Sequence, residues 1–123
     1  MKKRILSLVL AVVLALCLLP ATAYAATTAS GACGKNLTWS LSSTGTLTIS
    51  GKGAMAKYDS GKMPWAAYKN QIKSVVLAKG ITSIAYLSFS GYTKLTSVQI
   101  PDSVTDIGAS AFDNCTALSD MTL

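Results

Sequence analysis

Residues 95–118 read L-T-S-V-Q-I-P-D-S-V-T-D-I-G-A-S-A-F-D-N-C-T-A-L. The stretch opens with apolar residues at Leu95, Val98 and Ile100, and the alternation in its second half is typical of a short β-strand with two core residues. Pro101 ends that strand, because proline cannot donate a backbone hydrogen bond to a neighbouring strand. The remaining apolar residues predict that the chain then turns back toward the same core.

The pattern recurs along the chain. Residues 81–100, moved by 23 positions, match residues 104–123 with five identical pairs out of 20, and Phe89 with Phe112 is one of them. The same apolar spacing first appears at Ile72. A fixed period within about 20 to 29 residues indicates a leucine-rich-repeat solenoid, in which stacked units share one apolar interior. We expect a right-handed coil with one short strand and one turn or short helical segment per 23-residue unit.

The predicted units are residues 72–94, residues 95–117 and a partial unit at residues 118–123. Thirteen apolar positions are expected to fill their interior: Ile72, Val75, Leu77, Ile81, Ile84, Phe89, Leu95, Val98, Ile100, Val104, Ile107, Phe112 and Leu118. The third core position of the last unit falls on Leu123, so we also expect the chain to continue into further repeats in a longer parent protein.

Residues 26–71 are predicted to form a leader and a cap for the first repeat. The small, polar residues 26–31 are typical of a flexible leader. From Leu37 to Leu41, and again from Thr46 to Ser50, apolar and polar residues alternate, which predicts a β-hairpin with one apolar side. Met63-Pro64 is expected to open a short helix, since proline is tolerated at the first helical position. This helix would place Trp65, Tyr68 and Ile72 on one face.

The segment from Met1 to Ala25 has the pattern of a secretory signal peptide. A basic start (Lys2, Lys3 and Arg4) precedes an apolar run from Leu8 to Leu19, and Pro20 and the small residues of Ala23-Tyr24-Ala25 follow. Cleavage is expected after Ala25. An uncleaved membrane anchor is the alternative, but a bilayer span needs about 20 apolar residues.

Composition limits the chemistry of residues 26–123. Eight lysines and five aspartates give a net charge of +3, and the lysines are spread singly along the sequence, which argues against nucleic acid as a partner. The segment contains no His, Glu or Arg, so the groups that usually act as general acids and bases near neutral pH are missing. The aspartates lack the alternating spacing of a calcium loop. We therefore expect no enzyme activity, no cofactor and no metal.

Residues 95–118 resemble the BspA-like, or Treponema-type, leucine-rich repeat family, whose units read L-T-S-V-x-I-P-x-S-V-T-x-I-G-x-x-A-F-x-x-C-x-x-L. The preceding unit departs from this pattern, with Ala78 in the place of Pro101 and Tyr92 in the place of Cys115. Residues 30–39 and Pro64-Trp65 also resemble the segment that precedes such repeats in secreted proteins of Gram-positive gut bacteria. The resemblance implies a secreted or surface protein, and some relatives are adhesins for host matrix proteins or other microbes.

Solenoid geometry predicts a binding face on the outward positions of the repeat strands. These positions are Ser74, Val76 and Ala78, then Ser97 and Gln99, then Asp120 and Thr122. Their small polar side chains would form a shallow surface for an extracellular protein or glycan ligand.

Two other groups of residues have competing interpretations. Cys33 and Cys115 either form a disulfide or, as we favour, remain separate buried thiols. Trp39, Trp65, Tyr58 and Tyr68 either form an aromatic platform for sugar or, as we favour, pack in the core and cap. The sequence thus favours a binding or adhesion protein; the alternatives are a structural spacer in a larger exported protein and a carbohydrate-binding module.

Overall fold

A computed structural model describes residues 26–122. These residues form nine strands and one short 3₁₀ helix, Ala66–Tyr68. The strands are β1 (Thr27–Gly34), β2 (Leu37–Ser42), β3 (Thr46–Gly51), β4 (Gly53–Ala54), β5 (Ser74–Leu77), β6 (Ile81–Ile84), β7 (Ser97–Gln99), β8 (Asp106–Ile107) and β9 (Asp120–Thr122). The signal-peptide prediction and Leu123 lie outside the described residues.

Two sheets run through the molecule. The larger sheet has six strands in the order β1-β2-β3-β5-β7-β9, and the smaller has three strands in the order β4-β6-β8. In the larger sheet β1, β2 and β3 are antiparallel, whereas β3, β5, β7 and β9 are joined by parallel pairing. The smaller sheet is parallel throughout. From β3 onward the chain therefore alternates between one sheet and the other as it advances.

The parallel ladders repeat the period that the sequence shows. Ser74 pairs with Ser97 and Ser97 with Asp120, while Ser83 of the smaller sheet pairs with Asp106. Each of these pairs joins positions that are one sequence repeat apart. Since both ladders keep the same step, equivalent side chains of successive units lie one above the other.

The ladders begin before the first predicted unit. The pairing of β3 with β5 starts from Thr46↔Ser74, and that of β4 with β6 starts from Gly53↔Ile81. These two steps are equal, and each is longer than the repeat of the later units. The second strand of the hairpin therefore acts as the strand of a longer unit, whose extra residues lie in the segment between β4 and Trp65.

An aromatic stack explains why this longer unit fits the others. Trp65 lies parallel to Phe89 with ring centroids 5.5 Å apart, and Phe89 lies parallel to Phe112 at 5.4 Å. Trp65 thus occupies the position that phenylalanine occupies in the next two units. Its Nε1 also donates a hydrogen bond of 3.2 Å to the carbonyl oxygen of Ser88, which satisfies the polar atom of a fully buried ring.

The hairpin turn depends on Gly45. Its backbone has φ of +89°, a conformation that side chains disfavour, and a Cβ there would lie 2.5 Å from the carbonyl oxygen of Gln71. The Gly45 carbonyl oxygen accepts hydrogen bonds from the amides of Lys73, at 2.8 Å, and Ser74, at 3.2 Å. The turn is therefore bonded to the start of β5 as well as to its own hairpin.

Residues 26–31 differ from the expected flexible leader. Thr27–Gly34 form β1, which pairs with β2 through Ser30↔Ser40 and Gly31↔Trp39, with register shifts near both ends. The side chains of β1 are mostly exposed and small, so its apolar pattern is weak. Backbone pairing with β2 explains why this polar segment is a strand.

The expected helix after Pro64 is also shorter than predicted. Among the described residues only Ala66–Tyr68 are helical, and a chain of turns replaces longer helices after β6 and β8. Leu87 and Ser110, which occupy equivalent positions of successive units, both have positive φ, at 58° and 57°. A left-handed residue at this place interrupts any regular helix, which is why the periodic apolar pattern produces turns instead.

Nine of the thirteen expected core residues are buried: Ile72, Val75, Leu77, Ile81, Ile84, Phe89, Leu95, Val98 and Ile100. Val104, Phe112 and Leu118 are half-buried against this core. Ile107 differs from the expectation, because 48% of it is exposed. It lies in β8, whose only strand neighbour among the described residues is β6, so one side of it has no covering strand there.

Candidate binding face

The outer face of the six-stranded sheet brings the predicted outward residues together. Ser74, Ser97 and Asp120 are neighbours in one row of the parallel ladder. Val76, Gln99 and Thr122 form the adjacent row. The side chains of each row are half-buried at β5 and more exposed toward β9.

The antiparallel strands extend both rows. Thr46 of β3 pairs with Ser74, and their hydroxyl oxygens are 3.0 Å apart, within hydrogen-bonding distance. Thr48 pairs with Val76 on one side and with Ser40 on the other. Residues directly opposite one another in a sheet have side chains on the same face, so the two rows continue into the hairpin.

We call this surface the polar face. It comprises Ser30, Ser40, Thr46, Thr48, Ser74, Val76, Ser97, Gln99, Asp120 and Thr122. Neighbouring strands lie about 4.8 Å apart, so five steps from β1 to β9 extend over about 24 Å. Hydroxyl groups dominate the surface, and the acidic side chain in this set is Asp120.

The hairpin half was not anticipated from the sequence. It contains a shallow recess of about 380 Å³ that is lined by Gly31, Trp39 and five hydroxyl residues, namely Ser30, Thr38, Ser40, Thr48 and Ser50. The alternation of Thr46 and Thr48 with buried residues is the same signal that identified the repeat strands. The missing information was that β3 pairs with β5.

The aromatic residues lie beneath the sheet. Trp39 is 6% exposed, and its ring centroid is 6.1 Å from that of Trp65 and 6.2 Å from that of Tyr68. Tyr58 and Tyr68 are half-buried against the same core. Trp65 and Tyr68 both lie against Trp39, and Tyr58 packs against the same core, which agrees with packing in the core and cap.

The two cysteines of the described residues are both free. Cys33 is fully buried, and burial raises the pKa of its thiol to about 11. Cys115 is half-buried, and its Sγ donates to the carbonyl oxygen of Phe89 over 3.0 Å. Burial is also the main cause that raises the pKa of the Cys115 thiol. Burial therefore disfavours the thiolate form, the reactive form of cysteine, at both positions.

Residues 26–122 contain no group of three or more His, Cys, Asp or Glu residues positioned to hold a metal ion. Within the same range, no helix has the length and apolarity required to cross a bilayer. The ten residues of the polar face include neither a nucleophile with an activating base nor a pair of facing carboxylates. Its hydroxyl and amide groups can donate and accept hydrogen bonds.

Comparison with known proteins agrees with the repeat architecture. The family described as "BspA type Leucine rich repeat region (6 copies)" matches residues 65–123. A crystal structure of a leucine-rich repeat protein from Eubacterium ventriosum superimposes with a TM-score of 0.70 and 35% sequence identity, over 76% of this chain. The match spans 26% of that protein's length. No curated protein matches the chain with significant similarity.

The family match begins at Trp65, the first ring of the aromatic stack, and includes every described strand from β5 onward. The strand-rich architecture of residues 26–122, with its one short helix, is therefore that of a known leucine-rich repeat protein. Residues 65–123 are therefore repeats of the BspA-type leucine-rich repeat family.

Proposed function

We propose that this chain is a secreted or cell-surface binding module that recognises an extracellular macromolecule through the polar face. The observation that carries the proposal is the alignment of outward polar side chains from six strands on one continuous sheet. The family supports recognition or adhesion in general. The basic start, apolar run and small residues that end at Ala25 support export.

The wider architecture belongs to the same proposal. We infer a right-handed solenoid whose first unit is covered by β1 and β2, which act as an N-terminal cap. The antiparallel pairing of β2 with β3, and of β1 with β2, supports this role. It extends the sheet beyond the first parallel strand, so that the edge strand is β1, whose residues are small. A cap of this kind keeps the apolar interior of the first unit away from water.

A folded protein ligand fits the polar face better than a small molecule does. The surface is shallow, and its recesses are wide and open. Hydroxyl and amide side chains at about 4.8 Å intervals can pair with backbone and side-chain groups of an extended surface. Affinity from two or three strands would be modest, so binding should depend on residues from several strands at once.

Capture by host matrix proteins tests the proposal. Immobilised fibronectin, laminin and collagen would be exposed to the exported protein, residues 26–123, and to variants. We expect S97Y and Q99W together to lower capture by at least tenfold, because bulky side chains lift a partner away from the polar face. T82W is the matched control, since Thr82 is exposed on the smaller sheet.

Equal capture of the double variant and the parent protein would contradict the polar face as the binding surface. Loss of capture by T82W alone would move the site to the smaller sheet. Absence of capture by all three matrix proteins would favour the second candidate, a structural spacer. The spacer is supported by the modest chemical variety of the face, which has few large or charged side chains.

A further inference from the structure

Three lysines that are distant in sequence meet at one end of the six-stranded sheet. Lys35 lies in the turn between β1 and β2, Lys52 follows the end of β3, and Lys79 follows the end of β5. The strands β2, β3 and β5 are successive neighbours in the sheet. The three lysines therefore lie at the ends of three neighbouring strands, on the same side of the sheet.

Backbone contacts hold these turns together. The pair Leu37↔Gly51 aligns the start of β2 with the end of β3, and the amide of Lys52 donates to the carbonyl oxygen of Asn36 over 3.3 Å. A Cβ at Gly80 would lie 3.2 Å from Cγ of Lys52, and the amide of Gly53 donates to the Gly80 carbonyl oxygen over 3.0 Å. Lys52 therefore lies beside Asn36 and Gly80, and Lys35 and Lys79 are the residues that precede these two in the chain.

The positive charge of the three lysines ends at an acidic residue in the next unit. Lys35, Lys52 and Lys79 are all exposed. Asp102 occupies the position of the next unit that is equivalent to Lys79, and the neighbouring Ser103 hydroxyl accepts a hydrogen bond of 3.0 Å from the amide of Gly80. Asp102 therefore ends the positive charge at the next unit.

The opposite end of the sheet has mixed charge. Lys69 and Asp113 both lie close enough to Cys115 to influence its pKa, in opposite directions. Asp120 begins β9 at the same end, where Lys73 precedes β5. Lys35, Lys52 and Lys79 thus lie at the ends of three adjacent strands without an acidic residue between them, and Asp102 follows in the next unit at the same end.

We propose that Lys35, Lys52 and Lys79, the basic stripe, bind an acidic polysaccharide, a glycan chain that carries sulfate or carboxylate groups. Acidic groups recur along such a chain, so one chain can contact lysines at the ends of three successive strands. Each ammonium group contacts an anionic oxygen as a flexible point charge. The stripe lies at the strand ends, apart from the polar face, so it is independent of the proposed function.

A glycan fits the stripe better than a nucleic acid does. Binding of single-stranded nucleic acid uses aromatic side chains on which bases stack, and the turns that carry the three lysines contain no aromatic residue. Residues 26–123 also contain no arginine, the side chain best suited to bidentate contact with phosphate. Three point charges without stacking groups match a polymer whose only common feature is a row of negative charges.

The test measures binding of the exported protein to a heparin hexasaccharide and to a hyaluronan hexasaccharide by isothermal titration calorimetry at several salt concentrations. We expect the variant K35Q/K52Q/K79Q to lose at least tenfold in affinity for heparin. A plot of the logarithm of the association constant against the logarithm of the salt concentration should have a slope of about −2 for the parent protein and near zero for this variant. If the protein binds heparin but not hyaluronan, sulfate is the group that it recognises. If it binds both glycans, carboxylate groups are sufficient.

A matched triple variant, K62Q/K73Q/K94Q, removes the same charge from other exposed positions. It should keep heparin affinity within about twofold, and D102N should increase affinity by about twofold to threefold because it removes the boundary charge. Equal losses in the two triple variants, or no heparin binding by the parent protein, would overturn the proposal. Equal affinity for a single-stranded DNA of matched charge would overturn the choice of glycan.

Discussion

Individual buried residues show how the apolar interior accommodates polar atoms. Trp65 and Trp39 are both buried, but only Trp65 Nε1 has a hydrogen-bond partner among the described residues. The Trp39 indole lies against Gly31, where a Cβ would be 3.0 Å from Nε1. A donor that is buried without a partner costs about 1 to 3 kcal/mol, so the two tryptophans should respond differently to the same substitution.

We predict that W65F destabilises the protein more than W39F. Phenylalanine at position 65 removes the hydrogen bond to Ser88 and leaves its carbonyl oxygen unpaired, whereas at position 39 it removes an unpaired donor. The difference in free energy of unfolding should be at least about 1 kcal/mol. Urea unfolding followed by circular dichroism measures it, and a larger loss for W39F would contradict this difference in hydrogen bonding.

Cys33 gives a prediction that depends on pH. Burial raises its pKa from 9.0 to about 11 in the folded state, so the folded protein retains this proton where the unfolded protein has lost it. The contribution to stability is complete below pH 9 and disappears as pH rises toward 11. C33A should therefore flatten the loss of stability between pH 9 and pH 11, as measured by urea midpoints across that range. C115A is the control, because Cys115 is less buried than Cys33. If C33A had the same pH profile as the parent protein, Cys33 would not be the group that causes the loss of stability.

The elements combine antiparallel and parallel pairing at β3, and this junction connects the hairpin to the repeats. Alternating apolar residues identified β2, β3 and the repeat strands correctly, because each strand has one buried side. The same rule failed for β1, whose residues are small on both sides. Periodicity also could not separate helices from turns, because left-handed residues at Leu87 and Ser110 break the backbone while keeping the apolar spacing.

We predict that G45A weakens this junction strongly. Alanine there adds the strain of a positive φ and a contact with the Gln71 carbonyl oxygen, and it disturbs the hydrogen bonds to β5. The expected loss is about 2 to 4 kcal/mol of unfolding free energy. The control G61A has a positive φ but no atom within 4 Å of its new Cβ, so it should lose only about 1 kcal/mol. Equal losses would show that conformational strain alone matters.

For the whole molecule, the sequence indicated the repeat and its outward positions, because both follow from a counted period and from strand alternation. Two properties required three-dimensional pairing. The hairpin joins the polar face only because β3 pairs with β5. Lys35, Lys52 and Lys79 are far apart in sequence and become neighbours only because β2, β3 and β5 are adjacent.

The continuity of the sheet also predicts how the molecule unfolds. Trp39 and Trp65 report on the hairpin and on the first aromatic stack, and their rings are in contact. Tryptophan fluorescence and far-ultraviolet circular dichroism should therefore give coincident urea transitions for residues 26–123. Two separated transitions would show that the hairpin folds independently of the repeats.

Capture of a matrix protein by the variant T48W tests most directly the claim that hairpin and repeats share one binding face. Thr48 lies on the hairpin, beside Val76 of the first repeat strand and far in sequence from Gln99. We predict that T48W lowers capture substantially, as the double variant S97Y/Q99W does, while T82W does not. Normal capture by T48W, with capture lost in S97Y/Q99W, would contradict a face that extends across the whole sheet.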